Sequence, residues 1–112
     1  GKNLEGYNTP MVRREANYYI GQHLKKNGDI ASAFSYYKKC IDDAKLIDGK
    51  KASGFRINAT LYSGTIMETW GKYNEAKKYY NAVLDMREFN NSHKLAETYL
   101  DRIKNVEKQG SK

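Results

Sequence analysis

Displaced by 43 residues, this chain lies on top of itself. Arg13 falls on Arg56, Ala16 on Ala59, Tyr19 on Tyr62, Gly21 on Gly64 and Gly28 on Gly71. Ala33 then falls on Ala76, Tyr36–Tyr37 on Tyr79–Tyr80, Asp42 on Asp85 and Lys51 on Lys94. These ten identities over positions 9–51 compare with roughly two or three expected by chance, and a fixed period of this size marks a repeat architecture. Units of such a chain bury one another's apolar faces, so the expected work is holding a partner on the surface they build.

The punctuation inside each unit is helical. Thr9 before Pro10 reads as an N-cap followed by proline at the first helical position. Val12, Ala16, Tyr19, Ile20 and Leu24 then recur at helical spacing up to Asn27–Gly28, a C-terminal stop. Asp29 opens a second helix whose stripe is Ile30, Ala33, Phe34, Tyr37, Cys40, Ile41 and Ala44, with Ser32, Ser35, Lys39 and Asp42 opposite. After Asp48–Gly49 a third helix is expected from about Lys50 to Thr69, carrying Phe55, Ala59, Tyr62 and Met67, with Gly54 a weak point near its start. A fourth carries Tyr73, Ala76, Tyr80, Val83 and Leu84 and should end around Phe89–Asn91. A fifth, Ser92 to about Lys108, sets Leu95, Ala96, Tyr99, Leu100, Ile103 and Val106 on one side. Nothing alternates with a strand period, so the expectation is an all-α chain of five antiparallel helices. Residues 1–9 are expected to form a lead and 10–108 a single domain. Its parts are repeat one (10–48), repeat two (50–90) and a solvating helix (92–108), with a disordered tail at 109–112.

Small residues recur at two facing places, Gly21 with Ala33 and Gly64 with Ala76, letting paired helices approach closely. Leu24 or Met67 follows each glycine, Tyr37 or Tyr80 each alanine, and Cys40 or Val83 comes three later. This spacing resembles the tetratricopeptide repeat family. Tyr19-Ile20-Gly21, Gly28-Asp29-Ile30, Ala33, Tyr37 and Cys40 match in the first unit. Gly64, Met67, Gly71-Lys72-Tyr73, Ala76, Tyr80 and Val83 match in the second. Asn17 stands where the family usually has a Trp-like residue, and the closing proline of the 34-residue unit is missing. The 43-residue unit resembles the longer-helix variety of the family.

The resemblance covers about residues 10–108 and implies a right-handed α-α superhelix of helical hairpins. It makes Gly21, Gly64, Ala33, Ala76, Tyr37 and Tyr80 packing residues. Function in the family resides mainly on the first helix of each hairpin, which lines a concave groove. Carried over, that implies a peptide-binding groove of Tyr18, Gln22, Lys25, Lys26, Asn58, Leu61, Thr65, Glu68, Asp101 and Lys104, with Glu15, Thr69 and Lys108 beside them. In it, Tyr18 and Leu61 would anchor apolar side chains while Gln22 and Thr65 bond backbone amides. Some members clamp a terminal carboxylate with Lys and Asn on these helices. The corresponding positions here hold Tyr18, Gln22, Tyr62, Asp101 and Asn105, which lack the required cations, so that clamp is rejected.

Composition narrows the remaining classes. With 39% hydrophobic and 29% charged residues, 112 residues fit one globular domain, and no apolar run approaches the roughly 18 residues of a spanning helix, so membrane insertion is not expected. Gly1 in place of Met points to removal of a preceding segment, so the lack of a signal peptide is uninformative and cytoplasmic and exported settings both stay open. The single Cys40 rules out an internal disulfide, and at a core position it should be buried and inert. His23 and His93 are solitary, with no neighbours at metal-ligand spacing. No phosphate loop or nucleophile–base pair is visible. No cofactor and no enzymatic activity are expected.

The leading expectation is therefore a non-enzymatic protein–protein interaction module that binds a peptide or helical segment. The net charge of +7 keeps nucleic acid or another acidic partner as an alternative. The basic residues, however, are spread in pairs along the chain, and Glu15, Glu68 and Asp101 interrupt a phosphate track, so nucleic acid is disfavoured. A second alternative is a purely structural fragment of a longer bacterial regulator or repeat array. Met11, Val12, Tyr18, Tyr19 and Ile20 cover more of the first helix than one packing stripe needs, so this end is expected to pair with a second copy, as a homodimer, or with a segment outside this sequence.

Overall fold

The computed structural model describes residues 9–110, which form five helices and, among the described residues, no strand. They are α1 (Pro10–Lys26), α2 (Ile30–Ile47), α3 (Gly54–Thr69), α4 (Tyr73–Asp85) and α5 (Ser92–Gly110). The lead residues 1–8 and the tail residues 111–112 lie outside the described residues. Gln109 and Gly110, expected in a disordered tail, instead continue α5.

Caps explain most of the boundaries. The Thr9 hydroxyl accepts from the Val12 amide, the Asp29 carboxylate from Ser32 and the Ser53 hydroxyl from Arg56, each satisfying one orphan donor of a first turn. Gly28 and Gly71 hold φ values of +88° and +73°, a left-handed conformation that glycine adopts without a Cβ penalty, and the chain reverses there. Two boundaries depart from expectation. α3 begins at Gly54, four residues late, because the Asp48 carboxylate takes both the amide and the hydroxyl of Ser53 and holds 50–53 as a loop. α4 stops at Asp85 because Met86 turns extended (ψ 168°) and Asn90 and Asn91 follow with left-handed φ of 49° and 66°.

Successive helices run antiparallel, as their cross-contacts show. Arg13 meets Asp43 and Arg14 meets Asp48 between α1 and α2. Tyr62 stacks on Tyr37 between α3 and α2, and Lys77 meets Glu107 between α4 and α5. First helices lie alongside one another in parallel: Asn58 of α3 donates to the Tyr18 hydroxyl of α1, and Arg102 of α5 to Glu68 of α3. The all-α helical repeat read from the sequence is thus what the chain forms.

Tyr37 and Tyr80 are the largest fully buried side chains, with Ala33, Ala76, Cys40, Val83, Ile57 and Ile103 around them. Each tyrosine, rather than the facing alanine, lies against the small residue of its partner helix. A Cβ on Gly21 would sit 2.8 Å from the Tyr37 ring, and one on Gly64 2.5 Å from the Tyr80 ring. Glycine leaves the space that the rings fill.

The register of α1 is a correction. Val12, Ala16, Tyr19 and Ile20, expected as its core stripe, are all exposed, and of that set only Leu24 packs on the core. The inward face is Arg14, Tyr18, Gly21 and Leu24. Tyr18, grouped by sequence with the uncovered residues, is buried.

A candidate partner-binding cleft

Four aromatic rings converge where α1, the start of α3 and the α4–α5 loop meet. Tyr18 and Tyr19 of α1 stand edge-on to Phe55 of α3, with centroids 5.6 and 6.0 Å away. Phe89 of the loop lies against Gly54, whose missing side chain lets the ring approach: a Cβ there would be 2.5 Å from it. Between these rings opens a cleft of about 640 Å³, also lined by Gln22, Ser53, Asn58, Arg87 and Asn90.

The polar groups of the cleft are fixed from behind. The Tyr37 hydroxyl donates to the Gln22 amide oxygen. Asn58 donates to the Tyr18 hydroxyl at 3.3 Å, and burial pushes the Tyr18 pKa up to about 12, so this phenol stays protonated at any physiological pH. Arg87 Nε donates to the Ala52 carbonyl at 2.7 Å while its guanidinium stacks on Phe89. Among the described residues it is the one charged residue lining the cleft. A 640 Å³ opening with apolar walls and a few oriented amides suits a large side chain attached to a backbone that needs hydrogen bonds.

Of the ten sequence-derived groove residues, Tyr18, Gln22 and Asn58 come together here. The others are dispersed. The Lys25 ammonium lies 4.1 Å from the centroid of the Tyr62 ring, and burial lowers its pKa. Lys26 is exposed at the end of α1, and Asp101 and Lys104 are exposed on α5. Leu61 is buried in the core, where it supports α3 and offers a partner almost no surface. The Thr65 hydroxyl is spent on the Tyr62 carbonyl at 2.8 Å. Glu68 accepts from the Tyr80 hydroxyl and, at both oxygens, from Arg102. Sequence reasoning missed Tyr19, Phe55, Arg87, Phe89 and Asn90 as cleft residues. An aromatic beside two asparagines, residues that tolerate left-handed φ, was the available signal for a fixed loop at 89–91.

Elsewhere, Cys40 is buried and desolvation raises its pKa to about 12, so its thiol is inert as expected. Among the described residues no helix is long and apolar enough to cross a membrane, and no cluster of His, Cys, Asp and Glu is placed to hold a metal ion.

Comparison with known proteins gives a match to the tetratricopeptide repeat family model at residues 15–42 and 63–90, one window across the turn of each hairpin. No curated protein and no solved structure matches the chain.

Proposed function

From the premise that the chain belongs to the tetratricopeptide repeat family, whose repeats mediate protein–protein interaction, we propose that it grips a peptide segment in the aromatic cleft of α1, α3 and the α4–α5 loop. The carrying observation is the convergence of Tyr18, Tyr19, Phe55 and Phe89 with the amides of Gln22, Asn58 and Asn90. One large apolar side chain enters between the rings, and the amides bond the backbone on either side of it. Burying such a side chain yields about 1.5–3 kcal/mol, against the roughly 8 kcal/mol of a micromolar complex. The anchor therefore sets position, and the rest of the segment must run on across the α1, α3 and α5 surface, past Lys25, Lys26, Asp101 and Lys104. Arg87 as the single lining cation among the described residues favours a peptide over a polyphosphate backbone, which needs several cations along one track.

Peptides selected from a random display library against the whole chain test this reading. They should share one large apolar residue, perturb the side-chain amide resonances of Gln22, Asn58 and Asn90, and bind roughly tenfold more weakly to Asn58→Ala. Selected peptides that perturb only resonances away from the cleft would overturn it.

A further inference from the structure

Arg13, Arg14 and Arg102 each meet a carboxylate, whereas among the described residues Arg87 makes no ion pair. The acids on the two loops that hold it are spent elsewhere. Asp48 binds Arg14 and accepts from the amide and hydroxyl of Ser53. Glu88 accepts from the amides of Phe89 and His93 and from the Ser92 hydroxyl. Arg87 is nonetheless fixed: its Nε donates to the Ala52 carbonyl at 2.7 Å, and its guanidinium carbon lies 5.3 Å from the centroid of the Phe89 ring. An arginine carries five N–H donors in one plane, so the four on its two Nη atoms are left for a ligand. With Phe89 against one face of that plane, its edge is where an acceptor is met.

We infer that the segment held in the cleft carries an Asp or Glu side chain beside its apolar anchor, and that Arg87 grips this carboxylate through its two Nη groups. The inference rests on the peptide reading above and adds to it the chemistry of one residue. Charge complementarity carries it: among the described residues the cleft is lined by one cation and no acid, the rest being rings, amides and small groups. A planar guanidinium presents paired N–H groups that match the two oxygens of a carboxylate. Water leaves the aromatic flank as the anchor enters, which strengthens the pair over one in open solvent. A phosphorylated side chain would bring about two charges to a single cation, and Gln22, Asn58 and Asn90 supply no second one. Because the segment runs on past its anchor, the acid is a side chain rather than a chain end.

The probes are peptides selected from a random display library against the whole chain, then synthesised with capped and with free ends. Those that perturb the cleft amides should share an Asp or Glu at a fixed offset from the apolar anchor. With that acid replaced by its amide, a peptide should bind the wild-type chain roughly five- to tenfold more weakly. On Arg87→Gln the acidic and amide peptides should bind alike, and on the wild type the gap between them should narrow as salt is raised. If Arg87 only holds the loop through Ala52, its replacement weakens both peptides equally, and the proposal is overturned. Cleft-bound peptides that share no acid, or whose binding is lost when the C-terminus is capped, also overturn it while leaving the peptide reading standing. Peptides that perturb only resonances away from the cleft overturn that reading, and this proposal falls with it.

Discussion

In the first hairpin the open ends of the helices are tied by charge. Arg13 and Asn17 reach Asp43, and Arg14 reaches Asp48, whose side chain is 2% exposed. One period later the same places hold Arg56, Thr60, Met86, Ile57 and Asn91. Every acid is gone, Ile57 and Thr60 are buried, and Arg56 retains a buried Nε with no acceptor. The two hairpins share a backbone plan and differ in their surroundings. α1 is open on one side, where Arg13 keeps part of its hydration while the more enclosed Arg14 and Asp48 satisfy each other, whereas α3 is enclosed by α1, α2, α4 and α5 and favours apolar contacts. The second hairpin moves its charge to the outside, where Arg102 clasps Glu68 and ties α5 to α3.

The largest test of this contrast is Asp48→Ala. Removing a buried acid strands Arg14, and breaking such a pair typically costs about 3–5 kcal/mol, here toward the lower end because Arg14 keeps some water. Asn91→Gly, one period on, should change stability by less than about 1 kcal/mol, since glycine accepts its left-handed φ. Equal losses in urea denaturation would show that charge does not close the first hairpin. Next are the two close approaches. Gly21→Ala and Gly64→Ala should each cost about 1–3 kcal/mol by overpacking, the second more. Its methyl would come nearer the ring, and Tyr80 is held by a carboxylate that Arg102 also grips. A larger loss at Gly21 breaks the ranking.

A smaller effect is expected from Glu68→Gln, about 1 kcal/mol, because Arg102 is half exposed and screened by solvent. Its signature is faster amide exchange in α5 with little change in α1 and α2. The smallest effect is a pH response at the second loop. Glu88 accepts from the backbone amide of His93, the Ser92 hydroxyl and the Phe89 amide, and these bonds lower its pKa. With the folded value depressed, its contribution is present above the ordinary carboxylate pKa of about 4.3 and is lost as the pH falls through the folded value. Protection of the first α5 turn, corrected for intrinsic exchange, should decline over that range. The first hairpin has Lys45 at the equivalent position, which cannot respond in this way.

The sequence carried the architecture because its punctuation is local. Thr9–Pro10, Gly28, Gly71 and the small residues Gly21 and Gly64 each act within one hairpin, although the sequence paired those glycines with Ala33 and Ala76 and the structure sets Tyr37 and Tyr80 against them. What it could not carry depends on neighbours. Val12, Ala16, Tyr19 and Ile20 have the pattern of a buried stripe because on α3 that stripe is buried, and periodicity alone does not say whether a helix lies in front of it. The cleft was half visible. Tyr18, Gln22 and Asn58 sit on regular helices and followed from the resemblance. Arg87, Phe89 and Asn90 sit on a loop whose course is set by Met86, Asn90 and Asn91 and by the void over Gly54.

The lone thiol has a use of its own. Cys40 is shut in the seam between α2 and α3 and is essentially all protonated below its raised pKa of about 12. An alkylating reagent in neutral solution can reach it only after the seam parts. Labelling kinetics on the unmodified chain therefore act as a clock for that single motion. Where the rate rises linearly with reagent, it reports how often the seam stands open. Where it levels off, it reports how fast the seam opens.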